Sequence, residues 1–217
     1  MKVLVACEMS GRVRDAFRKL GHDAWSCDLL PNASPYHLQE DARLHLVSYW
    51  DMLIAFPPCT YLCTSGSQHW PSKRKEQEEA LEFVRLLLAA PIQRIALENP
   101  VSYIATRIRM PDQIIQPWQF GHSYSKRTCL WLKNLPLLTP TKIMSDRDDY
   151  IHSLPPTKYR QMQRSLTFPG IAKAMAEQWG VAQGTYQLPL KPARTYRNIM
   201  PQVKHRGRKT WTLVSDY

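Results

Sequence analysis

Short apolar runs alternate with amphipathic segments along the first 180 residues of the chain. Runs with the length and composition of strands are Lys2–Ala6, Asp23–Cys27, Met52–Phe56, Gln93–Leu97 and Thr128–Leu132. Helices are predicted after Ser10, over Glu76–Ala90 and over Pro169–Trp179. Because strands alternate with helices, the pattern indicates an α/β fold with a largely parallel sheet.

The predicted helices carry start and stop signals at their ends. Ser10 is placed to cap the first helix, and Gly21 follows its last apolar residue. Pro169 suits the first turn of the third helix, and Gly180 follows that helix. Residues 29–48 show no regular pattern, so we expect irregular structure there.

Two of the predicted strands stop at groups with reactive chemistry. Phe56-Pro57-Pro58-Cys59 ends one of them, and Glu98-Asn99-Pro100 follows the next. In an open parallel sheet, the carboxyl ends of the strands form the crevice where ligands bind. A thiol and a carboxylate brought to that crevice suit covalent catalysis on an electrophilic ring carbon. The alternative is a structural Cys and a capping Glu at two buried strand ends.

The junction of the first strand and first helix predicts a nucleotide-type site. Glu8-Met-Ser-Gly11 lies there, where a helix offers unpaired N–H groups and glycine permits close backbone approach. Asp28, after the second strand, is placed to accept both hydroxyls of an adenosyl ribose. Asp41 is the candidate for the adenine amino group, with Glu40 as its competitor. Alternatively, Gly11 forms only a turn and Asp28 only a cap.

Taken together, these motifs resemble those of DNA (cytosine-5) methyltransferases, most of all the short bacteriophage-type members. Phe56–Cys59 looks like the Pro-Cys nucleophile motif, and Glu98–Pro100 resembles the Glu-Asn-Val motif. Val3–Gly11 is similar to the first cofactor loop, and Ser125–Thr128 falls near the position of the Gln-x-Arg-x-Arg motif. Thr167–Met175 looks like the closing motif. The resemblance covers about residues 3 to 180.

The resemblance implies a Rossmann-like S-adenosylmethionine-dependent methyltransferase fold and methylation of cytosine carbon 5 in DNA. Cys59 would add to carbon 6 of the ring, which makes carbon 5 enamine-like. Glu98 would hydrogen-bond ring nitrogen 3 and the exocyclic amine, which needs a carboxyl with a raised pKa. The implied catalytic residues are Cys59, Glu98, Asn99 as the group that orients the loop, and Arg127 as a contact to the pyrimidine carbonyl or a phosphate. The implied residues for S-adenosylmethionine are Glu8, Ser10, Gly11, Asp28, Asp41, Pro57, Thr167 and Gly170.

The chain also departs from this family. Its first loop lacks the Phe-x-Gly-x-Gly pattern, and one arginine stands where the family has two. Only about thirty residues, Lys133 to Gln163, separate the arginine motif from the closing motif, where full-length members insert a large target-recognition region. Either the recognised sequence is short and loosely specified, or the C-terminal segment contributes to recognition, or the substrate is not duplex DNA. The main alternative among enzymes is therefore a methyltransferase-fold protein that acts on another pyrimidine, such as uracil in DNA, RNA or a free nucleotide. An alternative of another class is a nucleic-acid-binding protein with a degenerate cofactor site.

Positive charge is concentrated at the C-terminus. The chain has a net charge of +11, and residues 183–217 hold seven Lys or Arg and one Asp. We therefore predict a methyltransferase-like catalytic domain over 1–182 and a basic C-terminal arm over 183–217. Such a balance favours DNA through phosphate contacts, although a solvated tail that aids solubility is the alternative. Candidate nucleic-acid contacts are Lys126, Arg194, Arg197, Lys204, Arg206, Arg208 and Lys209.

Because duplex DNA hides carbon 6 of cytosine, the substrate base must be flipped out or single-stranded. Gly66–Trp70 and Trp118 are candidates to fill the vacated stack, and both tryptophans suit a core position equally well.

Cysteine usage bears on the compartment and on metal binding. Five cysteines at irregular spacing indicate a reducing cytoplasm, and no apolar run approaches the ~20 residues that span a bilayer. Cys7, Cys27 and Cys129 lie in strand-like runs and are predicted to be core residues. Cys59 and Cys63 with His69 have no second Cys/His pair nearby, so no metal site is predicted.

Overall fold

The computed structural model describes residues 1–64, 72–149, 160–181, 203–206 and 210–213. The chain divides into two compact units, Met1–Tyr186 and Gln187–Tyr217. The second unit contains an antiparallel pair of strands, Val203–Arg206 and Thr210–Leu213, which the sequence pattern did not predict. The predicted boundary at residue 182 lies outside the described residues.

The first unit is an α/β layered structure. Its strands are β1 (Lys2–Ala6), β2 (Asp23–Cys27), β3 (His37–Leu38), β4 (Met52–Ala55), β5 (Arg94–Pro100), β6 (Gln113–Ile115) and β7 (Thr128–Lys133). Its α-helices are α1 (Arg12–Lys19), α2 (Arg74–Ala89), α3 (Ile104–Arg107), α4 (Arg160–Ser165) and α5 (Pro169–Trp179). Short 3₁₀-helices cover Ala42–His45 and Pro117–Gln119.

The strands form one seven-stranded sheet in the order β3-β2-β1-β4-β5-β7-β6. All pairs up to β5 are parallel, and β7 runs antiparallel to both of its neighbours. Without β7, the order is the 3-2-1-4-5-6 arrangement of doubly wound nucleotide-binding folds. The sheet confirms the predicted α/β fold with a mostly parallel sheet and is compatible with a Rossmann-like architecture.

Both faces of the sheet are buried, which explains the continuous apolar runs in the sequence. On β1, Val3 and Val5 pack with α1 and α5 on one face. Leu4 and Ala6 point to the other face and pack in the cluster that includes α2. The two clusters place the sheet between helical layers, as alternation along each strand requires.

The predicted strands β1 and β2 and the helix α5 match the structure residue for residue. The prediction was wrong over residues 29–48, where β3 and a 3₁₀-helix occur. It was also wrong at β5, which continues to Pro100 instead of ending at Leu97. The extension is stabilised by β7, because Glu98, Asn99 and Pro100 pair with Leu130, Cys129 and Thr128.

None of the α-helices in the described part of the chain combines the length and the apolar character needed to cross a bilayer.

Candidate functional site

The crevice of the sheet lies at the carboxyl ends of β1 and β4. These strands are neighbours, and the chain continues from β1 to β2 on one side and from β4 to β5 on the other. Connections that leave a sheet in opposite directions open a gap at that point, where ligands bind in open α/β sheets. The segments after β1 and β4 are Cys7–Gly11 and Phe56–Cys59, which were both predicted as site segments from sequence.

Glu8 closes the N-terminus of α1. Its carboxylate accepts hydrogen bonds from the backbone N–H of Val13 (2.8 Å) and Arg14 (3.3 Å) and from the Ser10 hydroxyl (3.2 Å). Glu8 is 5% exposed, and burial raises its pKa to about 7 against the lowering effect of these donors. The N-cap residue is Gly11 and not the predicted Ser10, whose hydroxyl accepts a long hydrogen bond, 3.4 Å, from the first N–H of the helix. The longer Glu8 side chain accepts from the next N–H groups, which the helix itself leaves without partners.

Gly11 is required by the turn into α1. It occupies the N-cap position with φ 72°, in the left-handed region. A Cβ atom at Gly11 would lie 2.2 Å from the Arg14 guanidinium. That guanidinium is buried and donates to the Ser26 hydroxyl at 2.8 Å, so it connects α1 to β2. Gly11 thus has a clear packing role at this edge.

Acidic groups surround the end of β1. Cys7 adopts φ 59°, and its pKa is raised to about 12 by burial first and then by the charges of Asp28, Cys27 and Asp41. The structure therefore brings Asp28 and Asp41 close to the crevice. Asp28 accepts a hydrogen bond from the Leu30 N–H at 2.9 Å. The prediction of Cys7 as a core strand residue was wrong, because it follows β1 and is only partly buried.

Asp41 and Glu40 both have protein partners. Asp41 caps the 3₁₀-helix at Ala42–His45 and forms an ion pair with Arg43, which lowers the pKa of Asp41. Glu40 accepts from His45 Nε2 at 2.7 Å. A ligand amino group that approaches Asp41 would meet a carboxylate already held by Arg43.

Asn99 holds the loop that carries Cys59. Its side-chain amide donates to the Pro57 carbonyl at 2.9 Å from a position that is 1% exposed. The next turn closes on Cys59 itself, whose carbonyl accepts from the N–H groups of Leu62 (3.0 Å) and Cys63 (2.8 Å). The nucleophile loop is thereby fixed to β5 and folded back on itself, and Cys59 remains partly exposed.

Glu98 lies beside this loop in the part of β5 that extends past β4. Because β4 ends at Ala55 opposite Leu97, only β7 flanks Glu98 in the sheet. Burial raises the pKa of Glu98, and the charge of Lys126 opposes that shift. Within the described residues, no donor forms a hydrogen bond with the Glu98 carboxylate. The side chain is therefore available to a ligand.

Burial also raises the pKa of the Cys59 thiol. The neighbouring groups Cys63 and Glu98 raise the pKa further, whereas Lys126 lowers it. These effects place Cys59, Glu98 and Lys126 in one electrostatic cluster. They come from the loop after β4, from β5 and from the segment before β7.

Lys126, and not Arg127, faces this cluster. The Lys126 ammonium donates to the Arg164 carbonyl at 2.8 Å, and its side chain lines the narrow crevice beside Glu98. Arg127 is exposed, and its charge acts on Cys129. Side chains alternate between the two sides of the extended chain that leads into β7. Lys126 and Thr128 therefore share one side, and Arg127 points to the other. Sequence reasoning missed Lys126 as a crevice residue, although this period of two was available.

The closing segment lines a narrow cleft after the end of β4, beside Glu98 and the start of β7. The lining residues are Phe56, Glu98, Lys126, Thr128, Thr167, Phe168, Ile171 and Met175. The Thr167 carbonyl accepts from Arg12 of α1 at 2.8 Å. Gly170 packs closely on the Phe120 backbone, because a Cβ atom there would lie 1.9 Å from the Phe120 carbonyl oxygen. Its N–H donates to His122 Nε2 at 2.9 Å.

For most of the other predicted contact residues, the structure describes no side chain. Arg194, Arg197, Arg208, Lys209 and Gly66–Trp70 are outside the described residues. Lys204 and Arg206 belong to the strand Val203–Arg206, which is described by its backbone alone. The ring of Trp118 is partly exposed and is covered by the Arg147 guanidinium, 4.0 Å from its centroid. The described residues contain no group of three His, Cys, Asp or Glu side chains arranged to hold a metal ion.

No family model matches the chain, and no curated protein matches it either. The motifs and the geometry of the crevice are thus the basis for any functional conclusion.

Proposed function

We propose that this protein is an S-adenosylmethionine-dependent methyltransferase that methylates carbon 5 of cytosine in DNA through a covalent adduct with Cys59. The observation that carries the proposal is the convergence of Cys59, Glu98 and Lys126 from three separate segments. They meet next to the crevice between β1 and β4, and Asp28 lies at the same edge of the sheet.

The occupied helix N-terminus supports a cofactor without phosphate groups. In dinucleotide-binding folds, the first helix offers its N–H groups to a pyrophosphate. Here the Glu8 carboxylate already accepts from Val13 and Arg14, so an anion would meet a filled and acidic position. S-adenosylmethionine suits this edge better, because its sulfonium and ammonium groups are cations and its ribose offers two hydroxyls to Asp28. This cofactor would make the fold a Rossmann-like methyltransferase fold.

The reaction assigns the role of nucleophile to Cys59. The Cys59 thiolate forms a bond to carbon 6, and the ring electrons move to carbon 5. Bound S-adenosylmethionine would supply the methyl group to carbon 5, and its sulfur–methyl bond would break to leave a neutral thioether. Loss of the proton on carbon 5 to a base and cleavage of the sulfur–carbon 6 bond regenerate the thiolate. The paired prolines before Cys59 and the Asn99 contact to Pro57 present the sulfur with little loss of entropy.

The raised pKa of Glu98 suits recognition of the ring. A protonated carboxyl donates its O–H to ring nitrogen 3 of cytosine, and its other oxygen accepts from the exocyclic amine. The same group can serve uracil with the two bonds exchanged, so a substrate test must include both bases. Of the two contacts expected for Arg127 from sequence, the pyrimidine carbonyl or a phosphate, its exposed position favours the phosphate.

The test is methyl transfer by the purified full chain. The protein is incubated with methyl-labelled S-adenosylmethionine and with single-stranded and duplex oligonucleotides that contain cytosine or uracil. Label in 5-methylcytosine, and a cofactor-dependent covalent complex with 5-fluorocytosine DNA, are the expected results. Cys63→Ser is the matched control for Cys59→Ser, because it removes a neighbouring thiol of the same loop. Label on uracil alone would mean that the substrate base is uracil and not cytosine. No transfer to any oligonucleotide would contradict the proposal.

A further inference from the structure

The cluster at the end of β5 contains two acids and one cation. The groups that act on Cys59 are Cys63 on its own loop, Glu98 on β5 and Lys126 before β7. The cation that acts on Glu98 is Lys126, and the Glu98 charge in turn raises the pKa of Cys59 and of Cys129 on β7. A thiolate at Cys59 and a carboxylate at Glu98 would repel each other, and both would draw on the same ammonium group. Protonation of the two acids is therefore coupled.

Lys126 is held in place by groups that leave its charge uncompensated. Its N–H donates to the Gln116 side-chain oxygen at 2.8 Å, and its ammonium donates to the Arg164 carbonyl at 2.8 Å. A carbonyl uses one of the three ammonium donors and adds no negative charge. The side chain lies along the crevice with Glu98, Thr128 and Thr167. In this partly buried place, the charge acts more strongly than it would in water.

We propose that Lys126 keeps one negative charge in the crevice and lets that charge pass from Glu98 to the Cys59 sulfur when a pyrimidine binds. The inference rests on the proposed function and concerns the same site. In the empty crevice the thiol carries its proton. When a ring nitrogen faces Glu98, the proton moves from the Cys59 thiol to the Glu98 carboxylate. The Lys126 ammonium then pairs with the thiolate. The net charge of the three groups is zero before and after the shift, so no uncompensated charge is buried.

The transfer of charge from Glu98 to Cys59 meets two requirements of the reaction. The nucleophile has to be a thiolate, and Glu98 has to carry a proton to donate to the ring. Lys126 acts through Cys59 rather than on the substrate, so it is a positioning residue.

The test is the pH dependence of Cys59 alkylation in the full chain, followed by mass spectrometry of the Cys59 peptide after iodoacetamide treatment. Lys126→Met is expected to slow alkylation about tenfold at pH 8 and to move the midpoint up by about one pH unit. Lys126→Arg should stay close to the wild type. Lys133→Met is the matched control, because the Lys133 ammonium also donates to a backbone carbonyl, that of Ala90, but lies at the far end of β7. An unchanged profile in folded Lys126→Met would overturn the inference.

A second variant decides the matter if Lys126→Met does not fold. Glu98→Gln leaves Lys126 in place and removes the competing charge, so Cys59 should alkylate faster and with a lower midpoint than in the wild type. No change in Glu98→Gln would overturn the inference as well. Alkylation needs neither cofactor nor DNA, which separates the two proposals. If the alkylation profiles of the variants shift but the protein transfers no methyl group, the proposed function is wrong and the charge balance stands. If the protein transfers methyl groups but the alkylation profiles do not shift, the charge balance is wrong and the proposed function stands.

Discussion

Two glutamates at the same edge of the sheet have opposite surroundings. Glu8 follows β1 and accepts from two backbone N–H groups and one hydroxyl, all from the start of α1. Glu98 lies in β5, and no donor among the described residues forms a hydrogen bond with its carboxylate. Burial raises the pKa of both. The difference shows that Glu8 is committed to the fold, whereas Glu98 is left for a ligand.

The contrast extends to the cations near each acid. Arg14, beside Glu8, is buried and bonded to Asp15 and Ser26, so its charge is already shared. Lys126, beside Glu98, bonds through its ammonium to a neutral carbonyl. Polar groups whose hydrogen bonds and charges are satisfied within the protein stabilise its structure. Buried polar groups that lack such partners are typical of functional sites. Substitutions on the two sides should therefore affect different measurements.

The largest effect is expected from Cys59→Ser. A serine hydroxyl is a far weaker nucleophile than a thiolate, so methyl transfer should fall to background. The melting temperature and the S-adenosylmethionine affinity should stay near the wild type, because Cys59 is partly exposed and makes its loop contacts through its backbone. Initial rates, a thermal melt and calorimetry measure the three quantities. Near-normal turnover in this variant would show that Cys59 is not a covalent catalyst.

Glu98→Gln should lower kcat by about 10²–10⁴-fold, the usual contribution of a positioned acid. A carboxamide keeps the shape but cannot deliver the proton to ring nitrogen 3. Stability should change little, since the wild-type carboxylate has no hydrogen-bond partner to lose among the described residues. Steady-state kinetics and urea unfolding test both statements. A large loss of stability with kcat retained would make Glu98 a structural residue and erase its contrast with Glu8.

Glu8→Gln should change the pH dependence of stability. Because folding raises the Glu8 pKa from 4.5 to about 7, its stabilising contribution is complete below pH 4.5 and declines as the pH rises to about 7. The wild type should lose about 3 kcal/mol relative to Glu8→Gln across that window. Urea unfolding at several pH values gives the two curves. Glu76→Gln is the opposite control, because hydrogen bonds lower the Glu76 pKa and its contribution is lost as the pH falls. Parallel curves for wild type and Glu8→Gln would contradict the prediction.

Asp28→Ala should weaken S-adenosylmethionine binding by roughly 1–3 kcal/mol, the range for lost hydrogen bonds to a charged group. Asp41→Ala should have a smaller effect, because the Asp41 carboxylate is already engaged by Arg43. Calorimetry of both variants compares them directly. A larger loss at Asp41 than at Asp28 would reverse the assignment of the two acids.

Sequence alone was sufficient for the strands that lie on both sides of β1. Parallel strands buried on both faces are continuous apolar runs, so β1, β2 and all of β4 could be recognised from local pattern. The same pattern predicted the positions of Cys59 and Glu98, because an apolar run that stops at a proline pair or at a charge marks a strand end. The α/β class with a largely parallel sheet also follows from the alternation of these runs with helices.

Tertiary structure decided which side chain each segment presents. The end of β5 depends on pairing with β7, about thirty residues away along the chain, and no local signal encodes that pairing. The main side-chain cap of α1 comes from Glu8 instead of Ser10, because the turn at Gly11 directs the longer side chain to the helix. The choice of Lys126 over Arg127 depends on the register of β7. Local pattern therefore determined where the strands and the reactive groups lie, and long-range pairing determined which groups meet, since strand register is set by packing across the sheet.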